Sequence, residues 1–263
     1  MLVIIFSKDR PMQLDLLLES MEKYIHGSYQ AIAITLGDYT DVFERHKWCK
    51  RKNQTNFHED LISCLSYLHH KHVMFLVDDT VFVRHVYLKH VEDRIVRHDA
   101  IAYSLRLGRN INYCYMMDAT QELVDYEDHD DYISFNWKIQ KFDWSYPMDI
   151  SSSVFNLSAM YITVCGMKTC VNPNRFESFL AHSVTPFNAK RQTLLCNQKS
   201  CAYSIPINMT QTEFTGNRHE NSHSIEDLNK KWKSGEKIDL DSIPRTPNSV
   251  HMVVDVKFVN KNG

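Results

Sequence analysis

The run Val73-Met74-Phe75-Leu76-Val77-Asp78-Asp79-Thr80-Val81-Phe82 constrains this chain more than any other stretch. Its five leading apolar residues are too few to span a membrane and rich in β-branched and aromatic types, so they predict a buried strand. That strand ends on two adjacent carboxylates. At the carboxyl end of a strand in an open α/β sheet such acids face the crevice where these folds bind ligands, and a hard divalent cation on phosphate oxygens is a common partner for them. The alternative is a strand-to-turn exit closed by two solvated aspartates, and the dipeptide alone does not separate the two.

The flanking sequence supplies the context. Leu2-Val3-Ile4-Ile5-Phe6 predicts a first strand, and Ser7-Lys8-Asp9-Arg10-Pro11 a polar turn with Pro at the first helical position. Leu14, Leu17, Leu18, Met21 and Ile25 then recur at helical spacing. Ala31 to Thr35 predicts a second strand ending at Gly37-Asp38, and Phe57, Leu61, Leu65 and Leu68 a second helix before the Val73 strand. This alternation implies a mostly parallel sheet with right-handed crossovers, its strand ends near Ser7, Asp38 and Asp78 lying along one edge. Beyond it we expect a helix over 86–98, a strand over 100–105 leading into Arg106, a solvated acidic loop over 125–131, an antiparallel strand over 135–142 and a terminal strand over 251–258. Helices are expected after Asn172-Pro173-Asn174 and from Ser224 to Trp232, the latter stopped by Gly235.

A length of 263 residues suffices for one large α/β domain, and a formal net charge of −2 provides no general field for nucleic acid or an anionic membrane. No apolar run reaches membrane-spanning length and no targeting segment is recognised at the start, so the expectation is a soluble, cytoplasmic protein. Seven cysteines in such a chain read as reduced thiols. Cys165 with Cys170, and Cys196 with Cys201, also have spacings compatible with a four-thiolate zinc site, the competing reading being ordinary buried cysteines.

Taken in order, Phe6 to Pro11, the strand ending in Asp78-Asp79 before Thr80-Val81-Phe82, and Ser104-Leu105-Arg106-Leu107-Gly108 resemble a GT-A-fold glycosyltransferase of a family-two-like branch. Tyr146-Pro147, Asn172 through Glu177, Leu228-Asn229 through Gly235 and Ile238-Asp239-Leu240 fit the same pattern, so the resemblance covers nearly the whole chain. It implies an α/β, Rossmann-like, mostly parallel sheet with antiparallel additions and flanking helices. It further implies one domain over 1–263, with a nucleotide-sugar-binding half (1–110) and an acceptor-binding half (111–263). The expected activity is transfer of a sugar from a nucleotide diphosphate-sugar, a UDP-sugar favoured, to a hydroxyl of a glycan or glycoconjugate. In such a family the acid pair is the DXD motif and holds Mn²⁺ or Mg²⁺ on the diphosphate. Here position 80 is Thr, not a third acid. Asp79 is therefore the expected metal ligand and Asp78 a ribose or supporting contact, or the reverse.

The same resemblance sets Ser7, Lys8 and Arg10 beside the base, ribose or diphosphate, Asp38 near the base, and Arg106 within reach of the pyrophosphate. An inverting transferase needs a general base for the acceptor hydroxyl. Asp149 on its Pro-containing loop and Glu177 near a helix start are the candidates, although an acid at Glu177 would equally complement the helix dipole. Trp137, Trp144 and Tyr146 could stack on a sugar or simply pack a core. His182, His219 and His251 are further metal-ligand candidates. Two other readings compete: a sugar nucleotidyltransferase, disfavoured because no Gly follows the first strand, and a non-catalytic nucleotide or glycan-binding protein.

Overall fold

The computed structural model describes residues 1–210, 218 and 222–261. The apolar run Leu2 to Phe6 forms β1 (Leu2–Lys8), fully buried until Lys8. Its alternation divides the molecule: Val3 and Ile5 enter one hydrophobic core, and Leu2, Ile4 and Phe6 enter the other. A strand buried on both faces needs helices on both sides, and each fully buried Leu or Ile contributes about 1.5–3 kcal/mol.

The expected alternation follows, with α1 (Pro11–Tyr24), β2 (Gln30–Leu36), α2 (Thr40–Arg45), β3 (Lys50–Asn53), α3 (Phe57–Leu65) and β4 (His72–Val77). Pro11 starts α1 at the position where a missing N–H costs nothing, and Asn56 begins α3 by accepting the amides of His58 and Glu59. Next come α4 (Leu88–His98), β5 (Ala102–Ser104), β6 (Tyr126–Asp128), β7 (Tyr132–Asn136), β8 (Ser153–Asn156), α5 (Leu157–Cys165), α6 (Pro173–Ser183), β9 (Thr193–Asn197) and α7 (Ile225–Lys233).

The nine strands make one sheet in the order β6-β7-β9-β5-β8-β4-β1-β2-β3. β4, β1, β2 and β3 are mutually parallel, and β5 is parallel to β9; β8 runs against both β4 and β5, and β7 against β9 and β6. The arrangement is the expected mostly parallel sheet with antiparallel additions. Helices α1 and α4 pack with one core; α3, α5 and α6 pack with the other.

Three expectations fail locally. The strand forecast over 135–142 stops at Asn136, whose side chain accepts the Lys138 amide and turns the chain into a 3-10 segment, Trp137–Ile139. The acidic stretch over 125–131 is not wholly loop, since Tyr126–Asp128 pairs antiparallel with β7 at the sheet edge. The terminal strand over 251–258 reduces to a bridge between His251 and Ser204, and ladder pairing resumes only at Phe258–Asn260 against Glu236–Ile238. Between them Val254 and Val256 are buried while Val253 is exposed, so the period of two records an extended chain lying on the core without a partner strand. No helix among the described residues is long and apolar enough to cross a membrane.

Candidate active site

Parallel pairing of β1 with β4 sets Phe6 opposite Val77, and the Asp78 amide donates to Phe6 O at 3.2 Å. The next side chains therefore meet: Ser7 Oγ donates to Asp78 Oδ2 at 2.6 Å. Arg10, turned back at the head of α1, donates Nε to the same oxygen at 3.1 Å and forms an ion pair through Nη2 with Oδ1. Its Nη1 reaches Asn208 O at 3.4 Å. Both oxygens of Asp78 are thus engaged by this chain. Burial pushes its pKa up, to about 6, against the pull of Arg10, and the carboxylate stays ionised at neutral pH.

The turn after β1 is held against the turn after β2. Asp9 has a φ of 54° and donates its amide to Leu36 O at 2.9 Å. Gly37 has a φ of 123°, a backbone conformation that requires glycine, and a Cβ there would meet Asp9 Oδ1 at 2.6 Å and displace that side chain. Tyr39 follows, with its ring fully buried and its hydroxyl 2.6 Å from Ser7 Oγ.

Asp79 is half-buried beside this cluster. Its carbonyl accepts the Ile205 amide at 2.9 Å, because Thr80–Phe82 pairs antiparallel with Ala202–Ser204. Its Oδ1 is shielded from solvent and has no hydrogen-bond partner among the described residues. A buried unpaired carboxylate oxygen is costly unless a ligand completes it.

A second cluster is built around Arg106 by residues from the second half of the chain. Arg106, 5% exposed just beyond β5, forms a two-point pair with Asp149: Nε to Oδ2 at 3.1 Å and Nη2 to Oδ1 at 2.7 Å. Its Nη1 donates to Ser204 Oγ at 3.0 Å and to His251 Nε2 at 3.4 Å. Desolvation and then Arg106 drive the His251 pKa well down, so the ring is neutral; with Nε2 accepting, its proton is assigned to Nδ1, which is shielded and unpartnered among the described residues. Glu177, in the first turns of α6, accepts the Ile150 amide at 3.3 Å. Desolvation first, then the Asp149 charge, raises its pKa to about 7, and Arg106 and Asp79 are within electrostatic reach.

Of the residues proposed from sequence, Ser7, Arg10 and Asp78 are in direct contact, and Asp79, Arg106, Asp149 and Glu177 share one field. Lys8 is exposed at the end of β1. Asp38 is exposed on the same edge, its Oδ1 accepting the Thr40 amide and hydroxyl at 3.2 and 2.9 Å, which lowers its pKa. Trp137 and Trp144 are core residues, 1% and 0% exposed, leaving Tyr146, at 39%, as the one of the three aromatics available to a ligand. His182 is exposed and bonded to Ser178 O, and His219 lies outside the described residues. The four cysteines do not make a zinc centre: Cys165 is exposed at the end of α5, Cys196 is buried in β9, and no three potential ligands converge among the described residues. Sequence reasoning missed Tyr39, Ser204 and Asn208. None belongs to a motif; for Tyr39 the available signal was its position just past a glycine at a strand end.

No family model matches the chain. Bifunctional glycosyltransferase pgtA of Dictyostelium discoideum is 23% identical over an alignment of 292 residues taking in 95% of this chain. The chain spans 38% of that relative's length. Among solved structures, Staphylococcus aureus TarS 1-349 in complex with UDP superposes with a TM-score of 0.52 at 12% identity, covering 82% of this chain and 68% of that one. The chain shares the GT-A-like fold of TarS, a mostly parallel central sheet with flanking helices. In a GT-A sheet, as in other open α/β sheets, ligands are received outside the carboxyl ends of the strands. Ser7, Asp78 and Asp79 lie at that edge of β1 and β4, and Arg106 lies just beyond the same end of β5.

Proposed function

We propose that this chain transfers a glycosyl group from a nucleotide diphosphate-sugar, a UDP-sugar by preference, to a hydroxyl of a glycan or glycoconjugate. One observation carries the reading: the shielded, unpartnered oxygen of Asp79 sits beside an anchored acid, Asp78, and within reach of Arg106, Asp149 and Glu177. The likeness to a GT-A structure holding UDP and to a glycosyltransferase in sequence supports it.

The donor set at Asp79 fits a hard cation. Mg²⁺ and Mn²⁺ favour oxygen ligands, and Mg²⁺ in particular is commonly held by one or two carboxylates with substrate phosphates and water completing the shell. No ready-made cage of three side chains exists among the described residues, in keeping with a substrate-completed site. Asp79 would hold the cation, which when bound would neutralise charge developing on the departing diphosphate.

The rest of the chemistry falls to the second cluster. Asp149 accepts Nε and Nη2 of Arg106, the Ser151 amide at 2.8 Å and Ser153 Oγ at 3.5 Å, so its four lone pairs are already engaged. Glu177 is the better base, because its raised pKa near 7 matches a group that must accept a proton at neutral pH. The acceptor oxygen attacks the anomeric carbon, its proton passes to Glu177, and the bond to the diphosphate oxygen breaks with its electron pair. A single displacement of this kind inverts the anomeric carbon.

The test is thermal-shift measurement against UDP-, GDP- and dTDP-sugars with and without Mn²⁺, followed by donor hydrolysis. We expect stabilisation by a diphosphate-sugar that requires the metal, and slow hydrolysis abolished in Asp79→Ala. Indifference to every nucleotide-sugar with and without metal would overturn the reading.

A further inference from the structure

The hydroxyl of Tyr39 has two neighbours, the Arg10 amide at 3.0 Å and Ser7 Oγ at 2.6 Å. Their protons fix its direction. The amide can only donate, so the Tyr39 oxygen accepts from it. Ser7 has a single hydroxyl proton and gives it to Asp78 Oδ2 at 2.6 Å, so the Ser7 oxygen must accept from Tyr39. The result is a one-way chain from the Arg10 amide through Tyr39 and Ser7 to Asp78. It closes on itself, because the Arg10 guanidinium returns to the same carboxylate through Nε and Nη2.

The ring is held so that this geometry has little freedom. Tyr39 is fully buried, and burial followed by the Asp78 charge drives its pKa upward, keeping the phenol protonated and able to donate. The Arg51 guanidinium lies over it at 5.9 Å while donating to Gly37 O at 2.9 Å and Thr35 Oγ1 at 3.2 Å. Arg10 is equally committed, with its third nitrogen on Asn208 O.

We propose that Tyr39 is a positioning residue that gives the two adjacent acids different work: through Ser7 it fixes Asp78 onto Arg10, and so leaves Asp79 as the carboxylate presented to the donor. This rests on the transferase reading and deepens it. It also changes the expected role of Arg10, which holds Asp78 and does not contact a phosphate directly. Nothing in the chain touches the reacting atoms, so its loss weakens donor binding and leaves the chemical step alone.

The experiment compares the wild-type protein with Tyr39→Phe, Ser7→Ala and the double variant, reading UDP affinity by calorimetry and donor KM and kcat by hydrolysis. Phe keeps the buried ring, and Ser7→Ala tests the same chain if Tyr39→Phe does not fold. Each single change is expected to raise the UDP Kd and the donor KM by about fivefold to tenfold, the scale of one or two buried hydrogen bonds, with kcat unchanged. The double variant should be no worse than the weaker-binding single one, because both cut one chain. Wild-type affinity in both single variants, a loss confined to kcat, or additive losses in the double variant would overturn the proposal. A wild-type protein that binds no nucleoside diphosphate overturns the transferase reading itself, and this inference with it.

Discussion

Two regions of the molecule each bury an arginine on a carboxylate, and they do so with different materials. In the first half the pair is Arg10 and Asp78, supplied by the ends of two neighbouring parallel strands whose register makes Ser7 and Asp78 meet. In the other region it is Arg106, just beyond β5 at the end of the first half, and Asp149, from a loop of the second, surrounded by Ser204 and His251 from the last third of the chain. In both, the arginine occupies one acid and a second acid stands close by: Asp79 beside Asp78, and Glu177 beside Asp149. A buried arginine–carboxylate pair is weak evidence of stability, because desolvation offsets most of the attraction. Its effect here is to sort acids into one that is anchored and one that is left for chemistry.

The comparison is broken most sharply at Glu177. Glu177→Gln should lower kcat by about 10²- to 10⁴-fold, the usual worth of a positioned general base. Because the pKa in the ligand-free protein is raised to about 7, kcat/KM should fall as pH drops through that value, where the base becomes protonated. Initial rates across the neutral range check this; an acid limb that persists in Glu177→Gln would assign the limb to another group. Asp79→Asn should follow, with a loss of about 10²- to 10³-fold, comparable to removing one electrostatic contact to a developing oxyanion. It should also remove the metal-dependent thermal shift by UDP. If Asp78→Asn removes that shift while Asp79→Asn retains it, the assignment of anchored and working acids is reversed.

How the two regions read in sequence differs for the same physical reason. Strand β1, helix α1 and strand β4 announce themselves by period and by Pro11, and once two parallel strands are adjacent their ends are adjacent, so Ser7, Asp78 and Arg10 could be gathered from sequence alone. Tyr39 was not gathered, because its role depends on the turn that Gly37 makes against Asp9. The contact between Arg106 and Asp149 spans 43 positions and two strands of the sheet, β6 and β7, and Glu177 joins them through the Ile150 amide at the loop after Asp149. Those residues were named as candidates singly. Their grouping, like the burial of Trp137 and Trp144, is a tertiary fact with no local pattern.

The anchored acids are tested by stability. Asp149→Ala strands the Arg106 charge at a position 5% exposed, and should cost about 3 kcal/mol in urea unfolding. Asp78→Ala strands Arg10, whose side chain keeps 12% exposure, and should cost somewhat less. Equal and negligible costs would show that neither arginine depends on its partner.

A third cluster, built on α1 and the chain around the end of α2, calibrates them at the small end. His46 is 3% exposed and lies between Asp15 Oδ1 and Glu22 Oε1, each 2.9 Å from one ring nitrogen. Arg45 also pairs with Asp15, and the Trp48 indole donates to Glu22. Burial alone would lower the His46 pKa, but hydrogen bonds donated by the ring to the two carboxylates outweigh it and the net shift is upward. A raised folded pKa means that the fold binds the proton more tightly than the unfolded chain. This contribution is therefore complete below the unfolded value of about 6.5 and is lost as pH climbs through the raised folded value. Glu177 is also raised, so it too favours the fold more at low pH, but its window runs from the ordinary value of 4.5 up to about 7. The two signals thus separate on the pH axis. Unfolding free energy should decline less across the lower window in Glu177→Gln than in wild type, Asp78, raised to about 6, keeping part of the decline, and should decline above it in wild type and not in His46→Gln, which should cost about 1–2 kcal/mol at pH 6. A His46→Gln curve that parallels wild type above pH 7 would mean that the ring is neutral in the fold and that the two carboxylates hold it only by position.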